Sequence, residues 1–136
     1  MAPALAPGTV VRTGELWTLA VNRNQNLLGK TMLVARRPVA SVPDLTVEEW
    51  TALHAEIGAV TGAVTRLFRP DQFNHAFLMN QDAQVHLHVV PRYQAERTWQ
   101  GHTFADPHWG ELYGKEQQPL GPADLELLAD TIREAL

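Results

Sequence analysis

Two histidines, His86 and His88, lie two residues apart in the run Gln84-Val85-His86-Leu87-His88-Val89-Val90-Pro91-Arg92. Val85, Leu87 and Val89 alternate with Gln84, His86 and His88, the pattern of a strand with one face buried. Successive strand side chains point to opposite faces. Gln84, His86 and His88 are therefore expected on one face, about 6–7 Å apart per two-residue step. Imidazole titrates near neutrality and can act as nucleophile, base or donor at pH 7. A metal site is the rival reading, since imidazole also binds zinc and iron. It lacks a third ligand: the nearest downstream carboxylate, Glu96, lies beyond Pro91, and no second compact His/Asp/Glu cluster exists. We therefore assign no metal ligands.

The surrounding chain must hold that row in place. Its 136 residues fit one domain with a real core. Hydrophobic residues at 45% and charged residues at 19% describe an ordinary globular protein. With no cysteine, disulfides, thiolate zinc sites and a cysteine nucleophile are excluded. A net charge of −4 argues against broad nucleic-acid binding, which needs a basic face. A small anionic substrate is still compatible, because local fields outweigh the total; Arg23, Lys30, Arg36 and Arg37 cluster early, and Arg92 follows the histidines. No apolar stretch is long enough for a membrane span. Residues 1–8 lack the basic start and apolar core of a signal peptide and read as a loose tail, which favours the cytoplasm.

Short strands are expected at 9–11, 15–21 and 31–35, with the polar, turn-like Asn22-Arg23-Asn24-Gln25-Asn26 and Gly29 between the last two. Residues 46–68 read as a helix: Trp50, Leu53, Ile57, Val60, Val64 and Leu67 form a stripe of helical period, and Thr46 with Glu49 has capping-box spacing. His54 falls beside the stripe, at the surface. A strand at 73–79 and a tight connection at 80–83 lead into the histidine strand, antiparallel to it, which brings Asn80 near the row. Residues 93–120 are irregular and aromatic (Trp99, Phe104, Trp109, Tyr113); covering a ligand and closing over the sheet are equally open to them. Gly121-Pro122 opens a last helix with Leu125, Leu128 and Ile132 on one stripe. The order describes an α+β domain with an antiparallel sheet, one long helix and a C-terminal helix.

The run from Gln84 to Arg92 resembles the signature of the histidine triad (HIT) superfamily, in which three histidines alternate with apolar residues, often before Pro-Arg. His86 falls on the middle histidine, His88 on the third and Gln84 on the first. Ala20-Val21-Asn22-Arg23, Leu28-Gly29-Lys30-Thr31-Met32-Leu33-Val34, Arg37-Pro38-Val39 and Asp44-Leu45-Thr46 resemble the fragile-histidine-triad branch. The likeness extends over roughly residues 14–92. It implies a HIT-like fold and a nucleotide hydrolase or transferase acting at the α-phosphorus of a dinucleoside polyphosphate or another nucleoside-phosphate conjugate. His86 would be the nucleophile, forming a nucleotidyl-histidine intermediate, and His88 a donor to the phosphate. Asn22 would bind the ribose, with Leu16, Leu19 or nearby apolar residues around the base, adenine above all. No cofactor is required, although a divalent metal could accompany a polyphosphate substrate. A homodimer is implied as well.

The departures are specific. Glutamine at position 84 cannot titrate, so proton delivery to the leaving group from there is lost. Lys30 stands where the branch has histidine. The glycine-glutamine-serine/threonine-valine stretch before the triad is missing, and Asn80 and Gln81 are the candidate substitutes for its phosphate contacts. Arg92, or a histidine from residues 102–108, could supply a cation. A HIT-fold nucleotide binder with little catalysis is the main alternative; a cupin-like metal enzyme and a purely structural interaction domain are weaker ones.

Overall fold

The computed structural model describes Leu5, Ala6 and residues 8–136, and most of the tail expected at residues 1–8 lies outside them. Strands β1 (Val10–Thr13), β2 (Trp17–Val21), β3 (Thr31–Ala35), β4 (Gln72–Phe77) and β5 (His86–Arg92) form one sheet in the order β1-β2-β3-β5-β4. Every pairing in it is antiparallel. Helix α1 (Val47–Phe68) joins β3 to β4, and α2 (Pro122–Ala135) closes the chain. A small hairpin, β6 (Arg97–Trp99) and β7 (His102–Phe104), stands apart from the sheet inside the segment read as irregular. Its strands are three residues each, too short for alternation to announce them. Among the described residues no helix is long and apolar enough to cross a membrane.

Register sorts the sheet into two faces, because directly paired residues share one. Leu19, Leu33, Leu87 and Phe77 align on the face that both helices cover. There they join Leu53, Val60 and Val64 of α1 and Leu128 and Ile132 of α2 in a common core. The other face carries Ala20, Met32, His88 and Ala76 in one row, and Thr18, Val34 and His86 in the next. The alternation in the histidine run thus decides which face carries both histidines.

Helix α1 begins as its sequence demands. Thr46 accepts from Glu49 N–H, and the Glu49 carboxylate accepts from Thr46 N–H at 2.8 Å, a complete capping box. Arg37 grips the same carboxylate through two donors. Trp17 Nε1 donates to the Glu49 carbonyl at 2.9 Å and fastens β2 to this first turn. Within the stripe Leu53, Val60 and Val64 are buried, whereas Trp50 is 43% exposed and meets Phe77 edge-on. His54 is exposed, as expected. Between β2 and β3 the chain turns at Gly29, whose φ of +90° and whose approach to Val64 (3.0 Å from an added Cβ) exclude a side chain.

Strand β5 is central yet contains Pro91. Its neighbour Arg92 accepts from Asp71 N–H on the β4 side, so Pro91 faces the β3 side, where pairing has already stopped at Val89. Arg92 then anchors the chain beyond. Its Nε and Nη2 hold Asp106 at 2.7 and 3.1 Å, Nη1 donates to Asn74 and the Glu111 carbonyl, and Nη2 donates to the His108 carbonyl. All five guanidinium donors are used, with Arg92 and Asp106 side chains 4% and 1% exposed. Burial opposes the charge on Asp106, but Arg92 and the N–H groups of Tyr93 and His108 outweigh it and hold the carboxyl below its usual range.

Removing one partner of a buried pair strands the other charge, at about 3–5 kcal/mol. Arg92→Met should lose that much stability in urea titration, and Arg92→Met with Asp106→Asn clearly less. Equal losses in both variants would show that the charge pairing is not what matters.

Candidate functional site

The histidine face opens into a cleft of about 380 Å³ lined by Leu78, Met79, Asn80, Gln81, Asp82, His86, His88 and Lys115. A second hollow adjoins it, lined among others by Asn22, Asn24, Lys30, Leu78, His88, Val90, Tyr113 and Lys115. The two meet at Leu78, His88 and Lys115. Asn80, Gln81, His86 and His88 therefore share one cavity, and Asn22 and Lys30 share the next with His88.

His86 is 8% exposed, and its Nδ1 lies 2.8 Å from the carbonyl of Gln84. A carbonyl only accepts, so Nδ1 carries the proton and the neutral ring keeps its lone pair at Nε2. The two imidazoles meet edge to face, centroids 4.9 Å apart and planes at 74°. His88 is pushed down to about 4, chiefly by burial and then by His86 and Lys30. It is neutral at pH 7 and can offer a ring N–H to an oxyanion. Lys30 is 9% exposed, donates to Asn26 Oδ1 at 2.6 Å and is lowered to about 8 by burial. Asn22 Oδ1 is buried and has no hydrogen-bond partner among the described residues. An unpaired buried acceptor calls for a donor.

Two candidates do not reach the cleft. Gln84 stands before the first residue of β5, opposite the point where β3 has ended. Its carboxamide takes up backbone groups that the ladder no longer pairs: Nε2 donates to the carbonyls of Ala35 and Arg37, and Oε1 accepts from Val39 N–H. Its parity matches the histidines, but its side chain is 1% exposed and saturated. What Gln84 offers the site is its own carbonyl, which holds His86. Arg92 is likewise spent on its five internal bonds. The histidines of the late segment are paired elsewhere, His102 with Asp124 and His108 with Glu116. Leu19 is on the core face and Leu16 lines a depression beside α1, so neither meets the histidine face.

Lys115 is the residue that sequence reasoning passed over, while Tyr113, one of the aromatics left open to covering a ligand, does line the adjoining hollow. Nothing local marks Lys115; it is brought in by long-range amide contacts from Asn24 and Asn26 to its neighbours. Among the described residues no group of three His, Asp or Glu side chains gathers as a metal site.

Residues 5–95 match the HIT domain family. Known structures share the fold. A histidine triad protein from Sinorhizobium meliloti aligns over 93% of this chain and 88% of its own, at 24% identity and a TM-score of 0.72. One from Marinobacter aquaeolei aligns over 93% and 87%, at 23% identity and 0.71. The diadenosine triphosphate hydrolase of Plasmodium falciparum aligns over 96% and 77%, at 18% identity and 0.68. No curated protein matches.

The depressed His88 gives a pH signature. Its folded pKa is below the unfolded value of 6.5, so the unfolded chain takes up a proton that the folded site refuses. Stability is full above about pH 6.5 and falls as the pH drops towards 4. Urea midpoints across this range should fall in the wild type and fall less in His88→Asn. Parallel profiles would remove His88 as the source.

Proposed function

The chain belongs to the HIT domain family, and from this we propose that it is a nucleotide hydrolase or transferase acting at the α-phosphorus through His86. The observation that carries the reading is the 2.8 Å bond from His86 Nδ1–H to the Gln84 carbonyl, which leaves Nε2 unprotonated beside a cleft of polar groups. Nε2 attacks the α-phosphorus, and the bond to the leaving oxygen breaks with its electron pair. The resulting nucleotidyl-imidazolium keeps Nδ1–H on the Gln84 carbonyl, which steadies its positive charge. Water then attacks phosphorus and loses a proton to solvent, the P–N bond breaks, and the mononucleotide leaves. Splitting one hard displacement into two is covalent catalysis. His88 donates to a nonbridging oxygen as phosphorus becomes five-coordinate, and Asn80 and Gln81 are the other donors near it.

The unpaired Asn22 Oδ1 supports a ribose hydroxyl in the adjoining hollow. The chain neighbours of Asn22, Val21 and Arg23, line a third hollow of about 360 Å³ with Leu5, Ala6, Thr9 and Met32, which we assign to a base; adenine is our first choice. The substrate class is a dinucleoside polyphosphate, as for the Plasmodium hydrolase that shares the fold. No acid faces the leaving group from position 84, and a phosphate chain leaves without being protonated. A divalent ion bound to that chain is compatible with the scheme. We extend the reading to a cytoplasmic homodimer formed through the long helix α1 and the β4 edge strand, where Val47 and Trp50 of α1 and Leu78 after β4 are exposed.

The withdrawal of Gln84 into the backbone also favours a second reading, a nucleotide binder with little turnover. Mononucleotide release from diadenosine triphosphate and tetraphosphate separates the two. Wild type should release it and His86→Ala should not, with AMP affinity within about tenfold, because the lost role belongs to the transition state. Tight AMP binding without release would favour the binder, and equal release by both proteins would remove His86 as nucleophile.

A further inference from the structure

Residues 113–118 form a strap across the two site cavities, and its backbone is tied down on both sides of Lys115. Asn26 Nδ2 donates to the Gly114 carbonyl at 3.1 Å, and Asn24 Nδ2 donates to the Glu116 carbonyl at 2.9 Å. Gln118 N–H donates to Asn24 Oδ1, and Gln25 N–H donates to the Gln118 carbonyl. The polar stretch 22–26 is thus a mooring for the strap as well as a turn. It sets Lys115 at the junction of the cavities, which it shares with His88 and Leu78.

The charges near this junction are otherwise committed. Arg92 is enclosed by its own partners, and Lys30 is buried against Asn26. Asp82 lines the histidine cleft and places a negative charge there. Lys115 is exposed, lines the same cleft, and makes no ion pair among the described residues. It is the one lysine or arginine in that lining.

We propose that Lys115 binds the departing phosphate chain, so that this chain selects substrates whose leaving group is an anionic polyphosphate. This rests on the reading of His86 given above. As Nε2 bonds to the α-phosphorus, the P–O bond to the β-phosphate breaks and its electron pair stays on the leaving oxygen. The ammonium neutralises that growing charge without transferring a proton. A charge contact does here what proton delivery would do for an alcohol or amine, and it offsets the repulsion from Asp82.

The test compares diadenosine triphosphate with the p-nitrophenyl ester of AMP, whose leaving group is good but carries no phosphate. Lys115→Met should lower kcat/KM about 10- to 100-fold on the first, the size of one charge-assisted contact, and less than about threefold on the second. Lys115→Arg should restore most of the loss. Equal losses on both substrates, or none on either, would overturn the proposal. A binding arm is independent of turnover: Lys115→Met should weaken inorganic tripolyphosphate about tenfold and leave AMP unchanged. If wild type hydrolyses neither substrate but this difference holds, the anion site stands and the hydrolase reading fails. If tripolyphosphate affinity is unchanged, the Lys115 proposal fails whatever the turnover.

Discussion

The buried guanidinium of Arg92 is the constraint on which the site's architecture depends. A charge 4% exposed survives there only because five donors meet five acceptors. Those acceptors come from β4 and from three points between Asp106 and Glu111, so satisfying one side chain fixes the exit of β5 and the start of the segment that returns over the site. At the other end of β5, Gln84 performs the same service with a neutral group, closing three backbone groups of residues 35–39. The histidines sit on a strand held at both ends. Their separation is therefore a property of the fold and not of loop conformation.

Within that frame the electrostatics favour a neutral ring at His88. Burial and mutual proximity keep His88 uncharged at neutral pH, and the Gln84 carbonyl keeps the His86 proton on Nδ1. A lone pair and a donor then coexist within one centroid spacing of 4.9 Å. Such an arrangement suits attack on an electrophile that gains negative charge, because the donor needs no reorganisation as the charge develops. The positive charge is supplied from outside the strand, by Lys115 on the strap that Asn24 and Asn26 moor.

The parts legible in the sequence are those governed by short-range periodicity. The α1 stripe and the Thr46–Glu49 box announce a helix that begins where expected, and alternation in the histidine run puts His86 and His88 on the open face. Alternation also gave Gln84 the right parity but could not reveal that β3 ends opposite it, which turns the side chain towards unpaired backbone. Arg92 fails as a substrate contact for a similar reason: its partners are 14 to 19 residues downstream or on β4, and no local pattern encodes them. The strap is the least legible part. Lys115 lies about 90 residues from the asparagines that moor its neighbours, and amide-to-backbone contacts at such range have no periodic signature.

The central claim is that His86 carries the nucleotidyl group between the two displacements. Intact mass spectrometry after an alkaline quench, which preserves a phosphoramidate, tests it most directly. Wild type mixed with diadenosine triphosphate should gain the mass of one adenylyl group, localised to His86 and absent from His86→Ala. Turnover without any adduct, or with the adduct on another residue, would contradict the account.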